Sequence, residues 1–148
     1  MEVAAQTHEY KVSLNWDQDT KNGMMTSGFR VPVPFAPPVE FGGTDLVWSP
    51  EQLLASSVAS CYLTTFLHFA KILKIKIDKI NVRVRMEIEK KGGKGFIATK
   101  YFLHPQIKFA EVQSPEVVND LLSKAKRYCI VSNSVNGEII VEPEVTVN

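Results

Sequence analysis

The sequence predicts an α+β fold whose strands are mostly antiparallel, and three observations carry this prediction. Two Ser-Pro-Glu openings, at Ser49 and Ser114, each precede a segment in which apolar residues recur with helical spacing. Alternating apolar residues before and after these helices are typical of half-buried strands. The resulting order is ββ, loop, α, ββ, α, β, without the βαβ rhythm of a parallel sheet. A length of 148 residues suits one domain over 1–148, with strands and a loop in 1–48 and the remaining elements in 49–148.

A β-hairpin is predicted at the N-terminal end, over residues 9–30. Apolar side chains alternate from Tyr10 to Trp16, and a polar stretch over 17–23 follows. This stretch ends in Asn22-Gly23, a pair that favours the positive φ angles of a tight turn.

A proline-rich stretch, residues 31–43, follows the hairpin. It holds four prolines and two glycines in thirteen residues. Because proline lacks a backbone N–H and fixes φ, the stretch fits neither a helix nor a central strand. We therefore predict a loop, long enough to have a function of its own.

The strongest helix signal begins at Ser49 and extends to about Leu73. Ser49 is the predicted N-cap, Pro50 suits the first helical position, and Gln52 completes a capping box with Ser49. Apolar residues cover most of the circumference of this helix rather than one stripe. Such a helix needs to be covered on several sides.

Two strands and a hairpin turn are predicted after this helix. Apolar and polar residues alternate over 80–89, and a Gly-rich turn at 90–95 leads into a second strand over 97–109. Pro105 interrupts this second strand, which favours an edge position or a β-bulge.

A second helix and a last strand complete the predicted elements. The helix follows Ser114 and ends near Arg127, with Cys129 just beyond its C-terminal end. Alternation resumes from Glu138 to Val147, which predicts one final strand.

Composition excludes several classes of function. Seventeen Lys and Arg against sixteen Asp and Glu leave a net charge of +1, so we expect neither nucleic acid nor a membrane surface as a partner. No leader-like segment and no membrane-spanning run of about 18 apolar residues is recognised, which predicts a cytoplasmic protein. The three histidines lack metal-ligand spacing, and no metal or cofactor is expected.

Two cysteines are the candidate chemical groups. By composition alone they fit small apolar packing residues as well as reactive thiols. Their surroundings, the Ser49-to-Cys61 segment with its Pro-Glu-x-Leu start and the Cys129-x-x-Ser132 segment, resemble the two signatures of the OsmC/Ohr family. The Pro-Val-Glu-Phe-Gly-Gly approach at 38–43 adds to the resemblance. It covers nearly the whole chain and is closest to an OsmC-like branch.

The resemblance implies a fold, a partner and a reaction. The fold is an intertwined homodimer in which antiparallel sheets flank two long central helices. The reaction is the reduction of organic hydroperoxides by thiols, in defence against oxidative stress. Cys61 takes the place of the peroxidatic cysteine, Cys129 that of the resolving cysteine and Glu51 that of the acidic site residue. An external dithiol regenerates the enzyme, and the two cysteines are expected within disulfide reach.

A cation is the remaining part of the implied site. An apolar helix raises the pKa of a thiol unless a positive charge lies nearby, and the resemblance implies an arginine oriented by Glu51. Arg30 is the first candidate, Lys21 is the alternative, and Arg127 is placed to serve Cys129 instead. Without an activating cation, the alternative function is small-molecule binding or thiol redox sensing with little turnover.

Helix geometry adds a prediction about the assembly of this site. Glu51 and Cys61 are ten residues apart on one helix, so their backbones lie about 15 Å apart along its axis. One glutamate side chain does not span that distance. If Glu51 serves Cys61, it does so from a second copy of the chain, and we expect an obligate homodimer.

Overall fold

The computed structural model describes residues 7–147. The chain forms two compact units, Met1–Leu53 and Leu54–Asn148. The assignment of one domain to residues 1–148 stays a prediction.

The first unit contains a three-stranded antiparallel sheet. Its strands are β1 (Ser13–Asp17), β2 (Asn22–Thr26) and β3 (Val33–Phe35), in the order β1-β2-β3. The predicted N-terminal hairpin is thereby confirmed as the β1–β2 pair.

The turn of this hairpin differs from the one predicted. Asp17 Oδ1 accepts the N–H groups of Asp19 at 2.8 Å and Thr20 at 3.0 Å, and Lys21 carries the positive φ of 53°. Gly23 lies within β2, where a Cβ atom would come within 2.3 Å of the Phe35 ring. Gly23 is therefore needed for close packing rather than for the turn.

The prediction of a continuous loop over residues 31–43 is wrong at two places. Val33–Phe35 forms the edge strand β3, and Val39–Phe41 forms one turn of 3-10 helix. An edge strand accommodates Pro34 because one side of its backbone needs no partner in the sheet. The expectation that this segment would not form a central strand holds.

Helix α1 is Pro50–Ile72, as predicted from its N-terminal signals. The Ser49 hydroxyl accepts the Gln52 N–H at 3.1 Å, and the Gln52 side chain accepts the Ser49 N–H at 3.0 Å. This reciprocal pair confirms the capping box. Beyond the helix, Lys74 adopts a left-handed conformation with φ 57°, which ends the helical run.

The second unit contains helix α2 and a four-stranded sheet. Its elements are β4 (Ile77–Lys91), β5 (Gly95–Phe109), α2 (Pro115–Arg127), β6 (Glu138–Val141) and β7 (Glu144–Val147). Strand β4 pairs with β5 in antiparallel fashion, whereas β6 and β7 both run parallel to β5. The α+β class with two helices and two sheets is confirmed, and this sheet is mixed because α2 returns the chain before β6 begins.

Pro105 contradicts the prediction of an edge strand or a bulge. It is fully buried in β5, which has neighbours on both sides, and it pairs in register with Val82 of β4. On the other side of β5, the pairs with β6 end at Leu103 and those with β7 begin at Gln106. Pro105 thus faces the break between two strands, where the ladder is interrupted. The same break divides the predicted strand over 138–147.

The core of the second unit lies between the two helices and one face of the sheet. It consists of residues from α1, α2, β5 and β6, together with one thiol: Val58, Ala59, Tyr62, Phe66, Ala70, Tyr101, Leu103, Ile107, Phe109, Leu121, Ala125, Cys129 and Ile139. The Cys129 thiol is therefore part of the hydrophobic core.

Helix α1 also has the length and composition to cross a membrane, with a mean hydropathy of 1.4 over an 18-residue window. Its residues Val58, Tyr62 and Phe66 are fully buried in the core of the second unit. These contacts are those of a core helix. Other apolar side chains on the same helix, including Leu67 and Ile72, are exposed in the single chain.

A thiol pair as the candidate active site

The two cysteines lie together, although 68 positions separate them (129 minus 61). Cys61 is in the middle of α1 and partly exposed, whereas Cys129 follows α2 and is fully buried. Both thiols are free, and each influences the pKa of the other, as expected of neighbouring side chains. The structure therefore brings together the two residues to which the resemblance gives the redox roles.

A tight turn after α2 holds Cys129 in place. The Asn133 N–H donates to the Cys129 carbonyl at 3.1 Å, and the Asn133 side-chain amide donates to the Arg127 carbonyl at 2.9 Å. The Ser132 N–H donates to the Cys129 sulfur at 3.4 Å. These bonds fix the backbone from Cys129 to Ser132 beside the sulfur of Cys61.

Four neighbouring groups lower the pKa of the Cys61 thiol. Burial raises the pKa of Cys61 and is the largest single influence. Four polar groups together lower that pKa below its ordinary value: the Val131 N–H, the Cys129 thiol, the Thr65 hydroxyl and the Ile130 N–H. Hydrogen bonds to the thiolate favour the charged form. All four donors are neutral.

Cys129 has the opposite electrostatics. Burial raises its pKa and is the main cause, the hydroxyl and N–H of Ser132 lower it, and the neighbouring Cys61 raises it further. Within the pair, the pKa of Cys61 is therefore the lower of the two, and that of Cys129 the higher. The surroundings thus shift the pKa values of two chemically equal side chains in opposite directions.

Two buried hydroxyl groups lie near Cys129. Tyr62 Oη and Ser132 Oγ are inaccessible to solvent, and within residues 7–147 neither has a hydrogen bond of regular geometry. Burial raises the pKa of Tyr62 and Cys129 adds to this, so the phenol remains neutral.

The Tyr128 ring adds an aromatic contact next to this turn. It lies 5.3 Å from the Phe69 ring of α1, centroid to centroid, and Phe69 in turn makes an edge contact with His68. The Arg127 guanidinium lies 5.4 Å from the centre of the Tyr128 ring. Arg127 is thereby engaged with its aromatic neighbour.

The other predicted site residues belong to the first unit. Arg30 is exposed, and its guanidinium donates to the Ser27 carbonyl at 3.3 Å. Lys21 is an exposed turn residue that lines a cleft of about 430 Å³ with Trp16 and Leu46. Glu51 is in the first turn of α1, where its Oε2 atom is buried and has no hydrogen-bond partner in the described part of the chain. The roles of these three residues stay predictions.

Three of the donors to Cys61 were not predicted. No sequence signal points to Ile130 and Val131, because a main-chain N–H is independent of residue type. Thr65 lies four residues after Cys61, and residues at this helical spacing are neighbours. The spacing of Thr65 was therefore a usable signal.

Among positions 7–147, no three His, Cys, Asp or Glu side chains lie close enough together to hold a metal ion.

Comparison with known proteins identifies the family. Residues 43–144 match the family model described as OsmC-like protein, which is more than half of the chain. The chain belongs to the OsmC-like protein family. Over 145 residues it is 23% identical to the uncharacterized protein YmaD of Bacillus subtilis (strain 168), covering 95% of each chain.

Solved structures of this family share the fold. An OsmC-like protein of unknown function from Vibrio cholerae aligns with a TM-score of 0.85 at 16% identity, over 93% of this chain and 99% of that one. An organic hydroperoxide resistance protein from Elizabethkingia anophelis aligns with a TM-score of 0.73 at 26% identity, over 97% of this chain and 100% of that one. A second organic hydroperoxide resistance protein, from Legionella pneumophila, has a TM-score of 0.72 and 25% identity.

Proposed function

We propose that this OsmC-like protein is a thiol peroxidase that reduces organic hydroperoxides. The contact between Cys61 and Cys129 carries the proposal, because it joins a thiol of lowered pKa to a second thiol able to resolve it. The two hydroperoxide resistance proteins that share the fold support the choice of substrate class. Two free thiols also fit a reducing compartment, in keeping with the predicted cytoplasmic location.

The first step is the reduction of the peroxide at Cys61. The thiolate attacks one peroxide oxygen, a sulfur–oxygen bond forms and the oxygen–oxygen bond breaks. Cys61 becomes a sulfenic acid, and the released alkoxide takes a proton to leave as an alcohol. The partial exposure of Cys61 provides access for the peroxide.

The second step is the resolution of the sulfenic acid by Cys129. The Cys129 sulfur attacks the Cys61 sulfur, a disulfide forms, and the hydroxyl of the sulfenic acid leaves as water with the proton from Cys129. An external dithiol then exchanges with this disulfide, becomes oxidised and restores both thiols. The contact between the two side chains in the reduced state favours rapid resolution before overoxidation.

We further propose that the active form is a homodimer in which Glu51 serves the Cys61 of the partner subunit. Glu51 and Cys61 are both on α1, about 15 Å apart along the helix axis, which excludes direct contact within one helix. Leu54, Leu67 and Ile72 on the same helix are exposed in the single chain, and a second copy would cover such an apolar helix.

Steady-state reduction of an alkyl hydroperoxide with an excess of dithiol tests the function. We expect many turnovers for the wild type, and a loss of at least about a hundredfold for Cys61→Ser because a hydroxyl does not form the thiolate nucleophile. The matched control is Ser60→Ala, at an exposed position on the same helix. It should retain wild-type turnover.

Two outcomes would contradict the proposal. Consumption of one equivalent of hydroperoxide per chain, without turnover, would indicate a redox sensor or binding protein. Equal turnover in the wild type and Cys61→Ser would show that Cys61 is not the nucleophile.

A further inference from the structure

We infer that Ser132 is a positioning residue for Cys129, the sulfur that leaves when the external dithiol reduces the disulfide. This inference rests on the proposed function and deepens it, because it assigns a residue to the step that restores the two thiols. Ser132 acts through two donors, its main-chain N–H and its hydroxyl group.

The difference in exposure between the two cysteines sets the direction of the exchange. Cys61 is partly exposed, whereas Cys129 is fully buried. A thiolate of the dithiol therefore reaches the Cys61 sulfur first and forms a bond to it. The bond between the two cysteine sulfurs breaks, and its electron pair stays on Cys129. The second thiol of the dithiol then displaces Cys61, and the two protons of the dithiol end on the two cysteines.

The leaving sulfur becomes a negative charge inside the hydrophobic core. Cys129 is one of the core residues of the second unit. Burial of a charge without hydrogen-bond donors is unfavourable, and burial accordingly raises the pKa of Cys129. The exchange therefore depends on donors placed at this sulfur.

The main-chain N–H of Ser132 is one such donor, and it donates to the Cys129 sulfur at 3.4 Å. Asn133 holds the turn that directs it. The Asn133 N–H donates to the Cys129 carbonyl at 3.1 Å, and its side-chain amide donates to the Arg127 carbonyl at 2.9 Å. Because the backbone is fixed in this way, the Ser132 N–H stays directed at the sulfur when the charge forms.

The hydroxyl of Ser132 is a second donor in the same residue. Ser132 is only 9% exposed, and its Oγ atom has no hydrogen bond of regular geometry within residues 7–147. The hydroxyl nevertheless lowers the pKa of Cys129, as a neighbouring donor does. Since no regular bond in this part of the chain holds its one hydrogen, the hydroxyl is able to turn toward the thiolate as the thiolate forms.

An NMR titration of Cys129 tests this role without peroxide or reductant. In Cys61→Ser, isotope-labelled cysteine gives the signal of Cys129 alone, since the chain has two cysteines. We expect Ser132→Ala in this background to raise the titration midpoint by about one pH unit, the shift that loss of one hydrogen bond to a charged group produces. Ser132→Thr keeps a hydroxyl and should restore the midpoint.

Ser134→Ala is the matched control, because it removes another hydroxyl from the same turn. The Ser134 hydroxyl donates to the Ile130 carbonyl at 2.7 Å rather than to a sulfur. Its removal should leave the midpoint of Cys129 unchanged. An equal shift in Ser134→Ala and Ser132→Ala would assign the effect to a distorted turn and would overturn the inference.

Reduction of the preformed disulfide measures the same role in the reaction. With an excess of dithiothreitol, Ser132→Ala should be reduced about two- to fivefold more slowly than the wild type, because a thiol of higher pKa is a poorer leaving group. Formation of the sulfenic acid at Cys61 should keep its wild-type rate, which separates this role from a general distortion of the site. Acid quenching followed by mass spectrometry should locate the mixed disulfide at Cys61.

Other results would also overturn the inference. Equal midpoints with and without the Ser132 hydroxyl would show that it does not stabilise the Cys129 thiolate. A midpoint for Ser132→Thr as high as that for Ser132→Ala would assign the shift to packing. A mixed disulfide at Cys129 would reverse the direction of the exchange. Because the titration needs no hydroperoxide, a protein without peroxidase turnover would contradict the proposed function and leave the titration informative.

Discussion

Cys61 and Cys129 have the same side chain, but their surroundings shift the two pKa values in opposite directions. Main-chain N–H groups, the Thr65 hydroxyl and the Cys129 thiol together lower the pKa of Cys61, against the effect of burial, whereas burial raises the pKa of Cys129. The difference arises from position, because one sulfur is at the edge of the core and the other is inside it. This difference supports the proposed roles of Cys61 as the nucleophile and Cys129 as the resolving thiol.

The lowered pKa of Cys61 predicts a pH dependence of stability. A thiol whose pKa is lowered in the folded state stabilises the fold at pH values above its ordinary pKa of 9.0. This stabilisation is lost as the pH falls through the pKa of the folded state. The test compares reduced Cys129→Ser with the double variant that carries both Cys61→Ser and Cys129→Ser. The free energy of unfolding of Cys129→Ser should rise with pH relative to that of the double variant, up to about pH 9. Urea denaturation at a series of pH values measures this difference. A difference that is flat or falls with pH would be contrary to a stabilised thiolate.

Helix α1 shows how local signals determine an element. Ser49 is almost fully buried and forms both bonds of the capping box with Gln52. The cap fixes where the helix starts, and thereby where Glu51 and Cys61 lie along it. Sequence alone predicted this helix to within one residue at its C-terminal end, because capping and apolar spacing act over a few residues.

Removal of this cap should destabilise the protein. Ser49→Ala leaves the Gln52 N–H without its side-chain acceptor, at a cost of about 1 kcal/mol in the free energy of unfolding. Chemical denaturation measures the change, with Ser60→Ala as the control in the exposed middle of the same helix. An unchanged midpoint for Ser49→Ala would show that the cap contributes nothing measurable.

At the scale of the whole molecule, the proposed dimer makes a site from two subunits. Mixed dimers of Glu51→Gln and Cys61→Ser chains test this, provided that each variant alone is impaired. If Glu51 serves the partner's Cys61, each mixed dimer has one intact site, and an equimolar exchanged mixture should recover about a quarter of wild-type turnover. A site formed within one chain predicts no recovery.

Sedimentation gives the control for this experiment. An obligate homodimer should remain dimeric at micromolar concentration, as expected for an interface above about 2,000 Å². A stable folded monomer would exclude the two-subunit site.

The sequence by itself determined the α+β class, both helices and the N-terminal hairpin. These features depend on caps, proline positions and apolar periodicity, which act between residues close in the chain. Tertiary structure alone decided that Pro105 lies in a central strand, opposite the break between β6 and β7. It also decided that the main-chain N–H groups of Ile130 and Val131 lie where they lower the pKa of Cys61. Both outcomes depend on how segments far apart in sequence pack together and on where main-chain groups point. The type of a residue determines neither of these.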